Sequence, residues 1–104
     1  MMGKRYIRIA CFTPRGLALA ERLMANWTEY IPLWRRREES PEEWAAAGFR
    51  MHQPLLFVGA AGIAIRTVAP LVKDKLQDSP VLVMDEGGRH IIPLLSGHMG
   101  GANA

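Results

Sequence analysis

The sequence predicts an α/β fold: a mostly parallel open sheet flanked by helices, with a C-terminal antiparallel hairpin. Three observations predict it. Apolar runs of strand length alternate with stretches of helical periodicity. Two helix starts carry cap signals, Thr13-Pro14 and Ser40-Pro41. A Gly87-Gly88 pair separates the last two apolar runs, where glycine can supply the positive φ angles of a tight turn.

The first strand, "YIRIACFT" (Tyr6 to Thr13), ends on a good N-cap residue, and Pro14 suits the first helical position. In "RGLALAERLMANW", residues Leu17, Ala20, Leu23, Met24 and Trp27 recur at helical spacing and are expected to face the core. Glu21, Arg22 and Asn26 are left for solvent. "EYIPLW" reads as a weak second strand, and Pro32 places it at a sheet edge. Ser40 with Glu43 three positions on forms a capping box that opens a short helix, expected to end near Gly48. "PLLFV" is continuously apolar, as for a strand covered on both faces. It runs into Gly59-Ala60-Ala61-Gly62 and a helical stretch holding Ile63, Ile65, Val68 and Leu71, which Pro70 should end or kink. A polar loop, "KDKLQDSP", leads to "VLVM", the Glu86 to Arg89 turn and "HIIPLL". The resulting order is β-α-β-α-β-α-β-β, without internal repeats.

At 104 residues the chain is one domain's worth, residues 1–104, with room for a single modest core. A hydrophobic content of 49% argues against disorder. The single cysteine, Cys11, rules out a disulfide within this sequence and a Cys-based zinc site, and its apolar setting reads as a buried, inert thiol. No stretch approaches the roughly 20 apolar residues of a membrane span, so the expectation is a cytoplasmic protein without a membrane partner. The net charge of +3 favours anionic partners, whether nucleic acid, phosphate or polycarboxylate. Arg35-Arg36-Arg37 beside Trp34 is the one candidate for nucleic acid, but it belongs to a mixed-charge run and reads as a solvated loop.

Chemistry concentrates at three places. In "LLFVGAAGIAIR" a strand end, two glycines and a helix start meet, and free amides there favour an anion. Gly59, Ala60, Ala61 and Gly62 are the candidate backbone, with Arg66 as a guanidinium for carboxylate or phosphate. The pattern matches neither a P-loop nor a dinucleotide fingerprint, and a tight turn serving only packing is the alternative. In Asp85-Glu86-Gly87-Gly88-Arg89 either carboxylate is a candidate acid or base, with Arg89 as opposing charge, or the group is a solvated hairpin tip. His90 is expected to be partly exposed and His52 to lie on the surface. The third place is "SGHMGGANA" at the end of the sequence. Ser96, Gly97 and His98 follow the last strand, and if strand ends share an edge His98 faces the crevice of Gly59. No dedicated metal site is expected from His90 and His98.

The stretch from about Leu55 to Asn103 resembles the N-terminal region of the cobalamin biosynthesis protein CbiG family, the cobalt-precorrin-5A hydrolases. Four ordered motifs carry the resemblance: a strand running into Gly-x-x-Gly-Ile-Ala-x-Arg, Lys-Asp-Lys, Asp-Glu-x-Gly-Arg, and Ser-Gly-His-x-Gly-Gly-Ala-Asn. It implies a hydrolase that opens the δ-lactone of a cobalt corrin precursor, with release of acetaldehyde. The implied ligand is a cobalt-corrinoid polycarboxylate, which suits the anion-friendly turn. The cobalt belongs to the substrate, so no cofactor held by the protein is expected. The implied site comprises His98 as first choice of general base, with Asp85 or Glu86 as rival. Substrate contacts fall on Gly59, Ala60, Ala61, Gly62, Arg66, Gly87, Gly88, Arg89, Ser96, Gly97, Gly100, Gly101 and Asn103. Family members continue into a middle segment and a C-terminal domain, so the terminal stretch reads as an interrupted loop-to-helix start. The alternative function is a non-catalytic corrinoid-binding or assembly module that requires the C-terminal domain as partner. A homo-oligomer is left open.

Overall fold

The computed structural model describes residues 5–59, 61–71 and 79–95. The elements run β1 (Arg5–Cys11), α1 (Pro14–Asn26), β2 (Tyr30–Trp34), α2 (Pro41–Arg50), β3 (Leu55–Val58), α3 (Ala61–Val68) with a 3₁₀ turn at Ala69–Leu71, β4 (Val81–Met84) and β5 (Ile91–Leu95). They form a five-stranded sheet in the order β2-β1-β3-β4-β5. Every neighbouring pair is parallel except β4 and β5. The fold class and element order are those predicted from sequence.

Two layers of apolar side chains cover the sheet. Ile7, Ile9, Leu56, Val58 and Met84 pack with Ala20 of α1 on one face. Ala10, Leu55, Phe57, Val81 and Val83 pack with Trp44, Ala45, Ala64 and Val68 of α2 and α3 on the other. All four residues of β3 are buried, which explains why its sequence is apolar without alternation. Trp44 meets Phe57 edge-on, with ring centroids 5.1 Å apart. Among the described residues its buried indole N–H has no hydrogen-bond partner.

Both predicted helix caps are present. Thr13 Oγ1 accepts from the Gly16 N–H, and Ser40 and Glu43 form the full capping box. One local expectation needs correction. Leu17 points outward and is 41% exposed, whereas Gly16, Leu19 and Ala20 face the sheet. The helical register is set by Gly16, whose missing side chain lets the first turn of α1 approach Val58. The helix α2 ends at Arg50, near Gly48 as expected, but the glycine itself is not the cap. A Cβ at Gly48 would lie 2.4 Å from Leu55 Cδ2 and 2.9 Å from Arg8 Cδ, so this glycine marks close packing rather than a stop.

The two outermost strands each carry a proline at the third position, Pro32 and Pro93. The Arg35 N–H donates to Ile9 O across the β1–β2 seam, so by alternation the nitrogen of Pro32 faces away from the sheet. In β5 the pairing of Asp85 N–H with His90 O likewise turns position 93 outward. The ladder is irregular just beyond it: Leu82 pairs with Pro93 and Val81 with Leu95.

Candidate active site

Strand order fixes where a ligand can enter. The chain leaves β1 for β2 on one side, and β3 lies on the other, so the carboxyl ends of β1 and β3 flank a topological switch point. Crevices in doubly wound sheets open there. Thr13 follows β1, Gly59 follows β3, and Glu86 follows β4 at this same rim.

These three residues meet. Thr13 Oγ1 donates to Glu86 Oε2 at 2.6 Å across 73 positions of sequence, while accepting from the Gly16 N–H at 3.0 Å. Glu86 lies directly over Gly59: a Cβ there would stand 2.5 Å from Glu86 Cγ and 2.7 Å from Oε2. Gly59 has φ +81°, a left-handed conformation that glycine adopts freely. One residue thus satisfies two demands, the turn after β3 and the space for the carboxylate. The Gly59 N–H is not free for an anion, because it donates to Met84 O at 2.7 Å. Beyond it, at the amino end of α3, Ala61 and Gly62 are exposed. Among the described residues, a Cβ on Gly62 would meet nothing within 4 Å. Arg66 is exposed in the last turn of α3.

The neighbouring carboxylates of the hairpin differ sharply. Asp85 Oδ1 accepts from the backbone N–H of Arg89 at 3.0 Å and of His90 at 3.1 Å. The His90 N–H, which outweighs desolvation, holds the Asp85 carboxyl below its ordinary range. Asp85 thereby organises the turn, helped by Gly88 N–H to Asp85 O at 2.9 Å. Gly88 has φ +72° and Gly87 does not, so one glycine of the pair supplies the positive φ, not both. Arg89 reaches Asp85 through its backbone, and its side chain is exposed, as is His90. Glu86, partly buried, is the carboxylate aimed across the rim.

Strand direction changes the expectation for the final stretch. Because β5 runs antiparallel to β4, Leu95 lies beside Val81, at the amino end of β4 and on the rim opposite Gly59. The chain therefore enters Ser96 from the far side of the sheet, and the shared rim expected for Ser96, Gly97 and His98 does not follow from the strands. Ala60, Ser96, Gly97, His98, Gly100, Gly101 and Asn103 themselves lie outside the described residues.

Two other features are accounted for structurally. The thiol of Cys11 is pushed up to about 11 by burial, with Glu21 adding and Arg35 opposing, which leaves it protonated near neutral pH. Arg35 stacks 5.0 Å from the Phe12 ring centroid and donates to Glu39 O, so it is tied into the fold rather than presented to a polyanion. Among the described residues, no three His, Cys, Asp or Glu side chains converge as a metal ligand set, and no helix is long and apolar enough to cross a membrane.

Together these features define a doubly wound α/β domain that holds a carboxylate at its switch point. The chain belongs to the family described as "Cobalamin synthesis G N-terminal", whose model matches residues 43–104. It is 44% identical to a cobalt-precorrin-5A hydrolase of Salmonella typhimurium over 94% of this chain and 30% of that protein. It is 42% identical to a cobalt-precorrin-5A hydrolase of Priestia megaterium over 53% of this chain and 15% of that protein. A crystal structure of a cobalamin biosynthesis protein G homologue from Sulfolobus solfataricus shares the fold, with TM-score 0.68 at 20% identity over 95% of this chain and 31% of that one. The chain thus spans less than a third of the length of these relatives.

Proposed function

We propose that this domain contributes the hydrolytic base of a cobalt-precorrin-5A hydrolase, which opens the δ-lactone of the cobalt corrin precursor with release of acetaldehyde in cobalamin biosynthesis. The observation that carries the reading is the 44% identity to a protein of that name across 94% of the chain. The switch-point geometry supports it and favours Glu86 as the base over Asp85, whose Oδ1 is committed to two backbone amides.

Lactone opening needs an activated water, a stabilised oxyanion and a proton for the leaving alkoxide. Glu86 takes a proton from water as the water oxygen bonds to the lactone carbonyl carbon. The amides at the amino end of α3 face the developing oxyanion or a carboxylate arm, with Arg66 as a further cation for the arms. Collapse of the tetrahedral species breaks the acyl C–O bond, and the proton returns from Glu86 to the alkoxide. Loss of the alcohol proton with cleavage of its C–C bond to the macrocycle then releases acetaldehyde, the bonding electron pair staying with the macrocycle carbon, which takes up a proton. The cobalt enters as part of the substrate.

Glu86→Gln, made in this chain joined to the remainder of a family hydrolase, should lower kcat by roughly 10²-fold or more, the usual yield of a positioned base. Substrate binding should survive, as measured by the cobalt corrinoid absorbance. Unchanged kcat would reject Glu86 as the base.

A further inference from the structure

We infer that Thr13 is a positioning residue for Glu86, and that Gly16 and Gly59 complete its seat; the inference rests on the reading of Glu86 as the base. Thr13 holds two roles in one hydroxyl. As N-cap it accepts the Gly16 N–H at 3.0 Å, which spends a lone pair of the oxygen and directs its hydrogen outward. That hydrogen goes to Glu86 Oε2 at 2.6 Å, so one carboxylate oxygen is anchored to the start of α1. Among the described residues Oε1 accepts no hydrogen bond, which leaves it for the water proton. The space for the side chain comes from Gly59, whose Cβ position would stand 2.9 Å from Glu86 Cδ, while Gly16 lies alongside at ordinary contact distance, its Cβ position 3.7 Å from Oε2. Hairpin, β1–α1 junction and β3–α3 turn therefore converge on a single side chain. An ordinary surface glutamate on a hairpin would not need glycine at the position it faces, as Glu86 needs it at Gly59.

Capping and positioning can be separated by choice of side chain. Thr13→Val removes both. Thr13→Asp keeps the cap acceptor but offers no hydroxyl hydrogen and repels the carboxylate. Thr13→Ser keeps both.

The first measurement needs no substrate. A double-mutant cycle of Thr13→Val and Glu86→Ala, each of which removes one partner of the hydrogen bond, should be non-additive in the thermal midpoint of this chain, as for residues in contact. Additive midpoints would overturn the contact and the inference with it. In the chain joined to the rest of a family hydrolase, Thr13→Val and Thr13→Asp should lower kcat roughly 10- to 100-fold with little change in KM. Thr13→Ser should recover most of the loss. Thr13→Asp keeps the measurement informative if the valine variant folds poorly. Full kcat in Thr13→Asp, while Glu86→Gln is impaired, would overturn the positioning role alone. Full kcat in Glu86→Gln would instead reject the base assignment on which the inference rests.

Discussion

Gly48 and Gly59 stand at opposite ends of β3, and a Cβ on either would collide with its surroundings. At the amino end, Gly48 is buried against Leu55 and the stem of Arg8, and its carbonyl receives Ser79 Oγ and the Gln53 N–H. Everything there is closed and satisfied. At the carboxyl end, Gly59 is exposed, and the group that needs its missing side chain is a carboxylate. Steric demand for glycine is thus equal at the two ends and serves opposite purposes. One end seals the core, and the other makes room for a charged group beside solvent.

Substitutions test that contrast. The largest effect is expected from Gly59→Ala, which must displace Glu86: kcat of the joined hydrolase should fall roughly 10- to 100-fold. Stability should drop by about 1–2 kcal/mol for the left-handed backbone. Gly48→Ala should cost about 1–2 kcal/mol through overpacking, partly offset by better helix propensity, with kcat little changed in the molecules that remain folded. Loss of activity from Gly48→Ala without loss of stability would break the comparison. Asp85→Asn probes the turn that presents Glu86. A carboxyl held below its ordinary value of 3.8 contributes stability above that pH and loses it as pH falls through the lower folded value. The advantage of the native chain over Asp85→Asn in thermal midpoint should therefore be present at about pH 6 and vanish in strong acid. The smallest effect should come from Gly62→Ala. Its new methyl group meets none of the described residues, so a gain of up to about 0.5–1 kcal/mol is expected in equilibrium unfolding.

What was legible in the sequence was mostly local. Thr13-Pro14 and Ser40-Pro41 with Glu43 announce helices because a cap is decided within four residues. The unbroken apolar run of β3 announced a central strand for the same reason. The helix ends near Gly48 as its sequence suggests, but the reason for glycine there is tertiary, because Leu55 packs where a Cβ would stand. Leu17 misled because the face of α1 is set by how closely Gly16 approaches Val58, a tertiary fact. The approach of Glu86 to Thr13 spans 73 positions, and nothing in either neighbourhood encodes it. The direction of the last strand, by contrast, was available. A hairpin after Met84 reverses the chain, so Leu95 must return to the amino end of β4. With Leu95 on the rim opposite Gly59, a shared rim for Gly59 and His98 does not follow from the strands.

The prolines at positions 32 and 93 have a consequence for the molecule's life at high concentration. Each removes an outward donor from a border of the sheet, and the ladder irregularity beside Pro93 adds a local twist. A fibril grows by templating fresh strands onto a flat, fully armed border, and neither border here is one. With Ile31 and Ile92 exposed immediately before these prolines, the sequence places its breaks where sticky side chains would otherwise recruit another copy. Sheet growth is halted at both borders by the same Ile-Pro-Leu tripeptide.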